Sequence, residues 1–406
     1  MSILVSLLGL AFLILIHEAG HFYTARAVGM RPRKFYIGFP PALAKMRRKG
    51  IEYGVGAIPL GGYVKIPGMH RPAASDVDVH LGRAVHEAPE LVGAVERTKR
   101  ALVRADYEAA RAEIPALEEA AARAELSPVA RRGVERGVGE LRDATGMDAY
   151  WRQPAWKKIA VIFAGPGTNL VFAVLLLAIV FTFGVRQATL TVDEVAAAYP
   201  ADIAGLRAGD TIIAADGKRV EHFDDLYSTI QSTEGEQVTL TVRRQGRDVD
   251  LAITPTKEMG GPYLIGFAPT AETVRRAPDE AIGLALDRTW EVTTLIGQGL
   301  ARLATGEGRE DLSSPVGITQ VSSQAVDIDI RLYLQLLAFI SLSLAIFNLL
   351  PLLPLDGGHI AFSLIEAVRR RAVGREVYER VSVIGIALVL MLFFIGLSND
   401  LGGRGG

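Results

Sequence analysis

The stretch LILIHEAGHF, residues 13–22, places ionisable groups where hydrocarbon would be expected. Ile3 to Ile16 contains no charged residue, and His17, Glu18 and His21 follow at once. On a helix, residues four apart share a face, so the His17 and His21 imidazoles can converge on one cation. Glu18, beside His17, can reach a water at that cation and take its proton. Two neutral nitrogen ligands plus a carboxylate base is the donor set of a zinc hydrolase. Ionisable groups within a membrane segment are costly unless paired, which makes all three functional candidates.

The composition agrees with a membrane setting. Half of the 406 residues are hydrophobic and only 22% are charged. The mean hydropathy is +0.25. With a net charge of −1, no global field points to nucleic acid or to an acidic partner. Cysteine is absent, so disulfides and thiolate metal sites are excluded, and a metal must use His, Asp or Glu. Met-Ser-Ile offers no basic n-region, so the first apolar run reads as a retained span rather than a cleaved signal peptide.

Uncharged runs at Ile3–Ile16 (continuing through the motif toward Met30), Ile159–Gly184, Leu332–Leu355 and Val381–Ser398 meet or approach the length needed to cross a bilayer. Basic residues cluster after the first span (Arg26, Arg31, Arg33, Lys34, Lys45 to Lys49), before the second (Arg152, Lys157, Lys158) and between the third and fourth (Arg369 to Arg371, Arg375, Arg380). The opposite flanks hold Arg186, Arg331 and Arg404. The positive-inside rule then predicts residues 31–155 and 362–380 in the cytoplasm, with both termini and residues 186–330 outside. The metal motif falls at the cytoplasmic end of its helix.

The fold class read from this pattern is a polytopic α-helical membrane protein. It has four transmembrane helices (1–30, 156–185, 331–361 and 381–400), one extracytoplasmic PDZ-like β-rich domain (186–272) and a membrane-associated β-hairpin. That hairpin lies within 31–70: IEYGVGAIPLGGYVKI, residues 51–66, is Gly-rich and β-like, and Pro59 with Gly61-Gly62 suggests strand, turn, strand. It is either an ordinary hairpin or an edge beside the site, in which case Gly61, Gly62 and Tyr63 would meet an extended substrate.

Residues 71–155 form a charged cytoplasmic insertion whose 83–147 stretch, rich in Ala, Glu and Arg, reads as two or more solvated helices. Pro115 breaks or starts one, and Ser127-Pro128 looks like an N-cap and first position. His70, His80 and His86 with Asp76 and Asp78 read as solvated loop residues before a second metal site. In the second span, Asn169 needs a polar partner, either across a helix contact or facing the site, in which case it would take part in substrate binding. The PDZ-like reading rests on A-G-L-x-x-G-D-x-I at 204–212 and on alternating strands at Val238–Val242 and Val249–Ile253. Residues 273–330 read as a helix and a linker.

Pro351 and Pro354 interrupt the third span just before Asp356. The freed backbone must be satisfied inside the protein, and Asp356 sits at the depth expected for His17 and His21. It supplies the third ligand and leaves the fourth position of a single zinc ion for water. His359 is a rival ligand, nearer the cytoplasmic boundary.

Taken together, HEAGHF at 17–22, GFP at 38–40, IPLGGYVKIPG at 58–68, AGPGTN at 164–169, the PDZ signature, PVGI at 315–318 and NLLPLLPLDGGH at 348–359 resemble the site-2 protease family. These are intramembrane zinc metalloproteases, and the order of the motifs is that of the bacterial regulator-of-sigma-E protease type. The resemblance implies zinc on His17, His21 and Asp356, Glu18 as catalytic base, and Asn348 in substrate binding or unwinding. It implies membrane-embedded protein or peptide substrates, single-span proteins already trimmed outside, such as anti-sigma factors, or signal-peptide remnants. The PDZ-like domain would bind chain ends or screen ectodomains, lipid would surround the spans, and the inner membrane of a bacterium would be the location. A single PDZ signature and the long insertion depart from the pattern and bear on substrate screening. Two other classes stay open. A catalytically inactive PDZ-bearing scaffold would tolerate loss of the metal residues, yet all are intact. A zinc transporter would need polar residues along several spans, whereas this chain gathers them at one depth.

Overall fold

The computed structural model describes residues 1–257, 261–309 and 312–402. The chain divides into two compact units, residues 1–177 with 285–406, and residues 178–284.

The uncharged run at the start forms one helix, α1 (Ser2–Ala27), with His17, Glu18 and His21 buried in its second half and Leu4 and Leu8 exposed. Strands β1 (Lys34–Arg48) and β2 (Ile51–Lys65) follow. They join through Lys49-Gly50, where both φ values are positive (50° and 80°), as a two-residue hairpin turn requires. The sheet departs from the strand–turn–strand expected within 51–66. Phe35 lies opposite Val64 on one side and Tyr53 on the other, so Lys34–Ile37 sits between the two halves of β2. The reason is physical: Phe35, Tyr36 and Ile37 suit a pleated surface, and Tyr36 stacks on Tyr63 at 5.1 Å between ring centres.

The insertion folds as helices α2 (Ala74–Glu87), α3 (Val92–Val103), α4 (Tyr107–Ala112), α5 (Ile114–Arg123) and α6 (Pro128–Ala144). They close on their own core, with Leu91, Leu102, Leu117 and Val134 buried. The Ser127 hydroxyl caps α6 by accepting from the Ala130 N–H at 3.2 Å, and Pro115 opens α5, as the sequence predicts. The insertion is fastened to the strands by charge: Asp143 takes Arg33 at 2.7 Å and Lys65 at 3.4 Å, and Asp148 takes Arg33 at 3.1 Å.

Helix α7 (Ala155–Phe183) is the second apolar span and carries Pro166 in its interior. Unit 178–284 is a β-sheet built from β3 (Val185–Val195), β4 (Thr211–Ala215), β5 (Lys218–Arg219), β6 (Val238–Arg244), β7 (Arg247–Ile253) and β10 (Phe267–Val274), with β8 (Thr256–Lys257) and β9 (Tyr263–Leu264) pairing separately. The strand order is β10-β3-β4-β6-β7, with β5 beside β4, so β10 is an edge. Helices α8 (Pro200–Ile203) and α9 (Phe223–Ser232) complete it around Ile212, Leu226, Leu240 and Ile253. Asp210 of the G-D signature is buried and held by the Arg244 fork at 2.8 and 2.6 Å.

Helices α10 (Pro278–Thr305) and α11 (Pro315–Ile328) occupy the region expected as one helix and a linker. The third span, α12 (Ile330–Asn348), stops at Asn348, earlier than the expected 361, because Pro351 and Pro354 cannot continue it. After a turn the chain restarts as α13 (Asp356–Arg369) and then as the last span, α14 (Arg375–Gly402). Among the described residues, four helices, α1, α7, α12 and α14, are long and apolar enough to cross a membrane. The exposed Val383, Ile384 and Phe394 on α14 are the kind of surface that lipid covers.

Candidate active site

Helix spacing brings His17 and His21 onto one face of α1, and the broken third span brings Asp356 to them. The His17 and His21 Nε2 atoms are 3.3 Å apart, and Asp356 Oδ2 lies 3.1 Å from the first and 3.3 Å from the second. Among the described residues, this trio alone groups three or more His, Cys, Asp or Glu side chains closely enough to hold a metal. Ligands at zinc's usual 2.0–2.1 Å in a tetrahedral shell are about 3.3 Å from one another, so the three atoms form one face of such a shell. The donor chemistry agrees. His21 Nδ1 donates to the Val161 carbonyl at 2.8 Å, which leaves a lone pair on Nε2. Asp356 Oδ2 is buried and receives no hydrogen bond. The His21 Nε2 lone pair and the unbonded Asp356 oxygen face each other beside His17 Nε2, an arrangement that suits a cation.

Two close approaches build the site. A Cβ at Gly165 of α7 would fall 2.3 Å from His21 Nε2 and 2.9 Å from His17 Nε2, so only glycine lets that helix lie against the ligands. A Cβ at Gly357 would fall 2.2 Å from the Leu349 carbonyl, so the turn before α13 could not fold back to present Asp356. Asp356 also opens the first turn of α13, where the helix dipole favours a carboxylate.

Glu18 is 9% exposed and faces β2. The position a Gly62 Cβ would take is 2.9 Å from Glu18 Cγ, so β2 lies against the Glu18 side chain. The strand segment Gly62–Lys65 therefore runs past the candidate base. Gly62 and Tyr63 belong to that segment, and Gly61 precedes it.

Other candidates fall elsewhere. Asn169 is fully buried behind His17, its Nδ2 3.4 Å from His17 Nδ1. Its Nδ2 meets the His17 ring, while its Oδ1 is buried with no hydrogen-bond partner. Asn348 donates to the Leu344 carbonyl at 2.9 Å and caps the end of its own helix. His359 is turned toward the Tyr378 hydroxyl, 2.5 Å from its Nδ1, and does not join the metal trio. His80 pairs with Glu140 and Asp78 with Lys99, which leaves no second metal cluster among the described residues. Sequence reasoning missed Val161 and Gly165; the small-residue run AGPG at 164–167 was the signal for Gly165, and Val161 had none.

A hydrolytic metal centre assembled between apolar helices defines a membrane metalloprotease. The chain belongs to Peptidase family M50, whose pattern matches residues 5–392, and so to the site-2 proteases. It is similar to metalloprotease MmpA of Caulobacter vibrioides, 30% identical over 430 residues that cover 98% of this chain and 95% of that one. A chain of Mesorhizobium japonicum, provisionally named a zinc metalloprotease, is 29% identical over 419 residues, covering 97% and 96%. Among solved structures, the PDZ domain of an SdrC-like protein from Listeria innocua is 26% identical over 20% of this chain and 92% of its own, with a TM-score of 0.19.

Proposed function

We propose that this metalloprotease hydrolyses peptide bonds within transmembrane segments of single-span proteins already shortened by another protease, in regulated intramembrane proteolysis. Anti-sigma factors and signal-peptide remnants fit that description. The observation that carries the reading is the convergence of His17, His21 and Asp356 at 3.1–3.3 Å with Glu18 beside them, all set among apolar helices.

One zinc ion, when bound there, makes water nucleophilic near neutral pH and polarises the scissile carbonyl. Glu18 takes the proton of the attacking water and returns it to the leaving amine. A helical substrate must first unwind, since its carbonyls are otherwise engaged in i to i−4 hydrogen bonds. The Gly62–Lys65 segment supports that step, because an extended chain laid along it passes Glu18 while adding a strand. Asn348, at the end of α12, contributes to holding the unwound stretch. The basic flanks of the spans favour a site near the cytoplasmic face with the unit at 178–284 outside, in a bacterial inner membrane. There the edge strand β10 receives chain ends, or the unit bars untrimmed ectodomains.

Cleavage of a reporter membrane helix in liposomes tests the reading. Glu18→Gln should lower the rate by about 10²–10⁴-fold while zinc stays bound. Equal cleavage by both proteins would remove the assignment, and zinc flux without cleavage would favour transport.

A further inference from the structure

The two histidines are held by one helix. Val161, Gly165 and Asn169 recur at i, i+4 and i+8 on α7 and so line one face of it. Val161 accepts the His21 Nδ1 proton at 2.8 Å, and Gly165 permits the approach. Asn169 meets His17 Nδ1 at 3.4 Å. We propose that Asn169 is the positioning residue of His17, fixing the tautomer and ring orientation that make it a zinc ligand. The inference rests on the metal site described above.

The argument is one of donors and acceptors. Asn169 is 0% exposed, its Oδ1 has no hydrogen-bond donor, and its Nδ2 faces the ring. When His17 ligates through Nε2 its proton must sit on Nδ1, and two donors would then face each other. A half-turn of the amide, whose O and N are nearly interchangeable in shape, sets Oδ1 against the Nδ1 proton and gives that oxygen its missing donor. The backbone is already held: Ser341 of α12 donates to the Asn169 carbonyl at 2.9 Å. Metal-ligating histidines depend on such acceptors, and losing one typically costs 10–100-fold in metal affinity.

The test is zinc affinity of the purified full chain, measured by competition with a chromophoric chelator. Asn169→Leu, similar in size but without an acceptor, should weaken zinc binding by about 10–100-fold. Asn169→Asp keeps an acceptor and should bind within about threefold of wild type or more tightly. Unchanged affinity in N169L, or equal losses in N169L and N169D, would overturn the positioning role. If N169L does not fold, N169D against wild type decides, and a clear loss of zinc in N169D overturns it. Wild-type protein that takes up no zinc would remove the metal site itself, a different failure from zinc uptake that ignores residue 169.

Discussion

At Gly165 the requirements of a helix and of a metal site conflict. Glycine costs an interior helical position about 1 kcal/mol against alanine, yet an added methyl would lie 2.3 Å from His21 Nε2. Gly165→Ala should therefore cut zinc affinity and reporter cleavage by about 100-fold or more, because the ligands must move aside, and that overpacking offsets the helix-propensity gain in thermal stability. Melting curves read beside zinc stoichiometry would check it, and full activity in G165A would mean that α7 can withdraw from the site. The same scale shows what the chain discloses before it folds. His17, Glu18 and His21 were legible because i, i+4 spacing is a property of any helix. Asp356 was legible because an uncharged run broken by prolines makes a lone carboxylate conspicuous. Val161 acts through its backbone carbonyl, which leaves no mark on residue type. Asn169 announced only that it needed a partner, so its contact with His17 was not readable.

Whole elements were legible to the extent that one periodicity governs them. The apolar spans and the strands of the β-unit followed their own patterns. Lys34–Ile37 did not, because its place between two halves of β2 is set by distant partners, Lys34 lying opposite Lys65. The third span ended early for a local reason, its prolines, while the site it forms depends on a fold-back that Gly357 permits. In the β-unit, the G-D signature has a structural role: the Arg244 fork donates two hydrogen bonds to Asp210 and holds its carboxyl below the ordinary aspartate range. A carboxyl with a lowered folded-state pKa stabilises the fold above its unfolded pKa of about 3.9 and loses that contribution as pH falls through the folded value. The unit should thus resist proteolysis at neutral pH and become more susceptible below about pH 4. Asp210→Asn should raise susceptibility at pH 7 and flatten this acid dependence, with cleavage inside residues 178–284 of the full chain as the readout. A variant that keeps the wild-type acid profile would show that other carboxylates govern it.

For the molecule as a whole, the sequence carries its orientation as a charge imbalance, since lysine and arginine resist transfer across a bilayer during insertion. The proposed topology rests on the basic stretches flanking α1, α7 and α13, which favour the insertion at 71–155 in the cytoplasm, and on the sparse charge beside residues 186–330, which favours the β-unit outside. The proposal also depends on the number of spans: among the described residues α7 is the single apolar helix long enough to cross between the insertion and the β-unit in the sequence, so on this topology one crossing would put them on opposite sides. The absence of cysteine allows a clean measurement, because one introduced thiol is the only reactive one. Ala122 and Ser232 are both exposed, one in the insertion and one in the β-unit. In intact bacterial cells, a membrane-impermeant maleimide should label Ser232→Cys, whereas Ala122→Cys should react only after the membrane is opened. Labelling of both without permeabilisation, or protection of both, would mean that α7 does not cross and would take the membrane-embedded site with it. Labelling of Ala122→Cys alone would keep the span and invert the orientation, moving the metal centre toward the outer face.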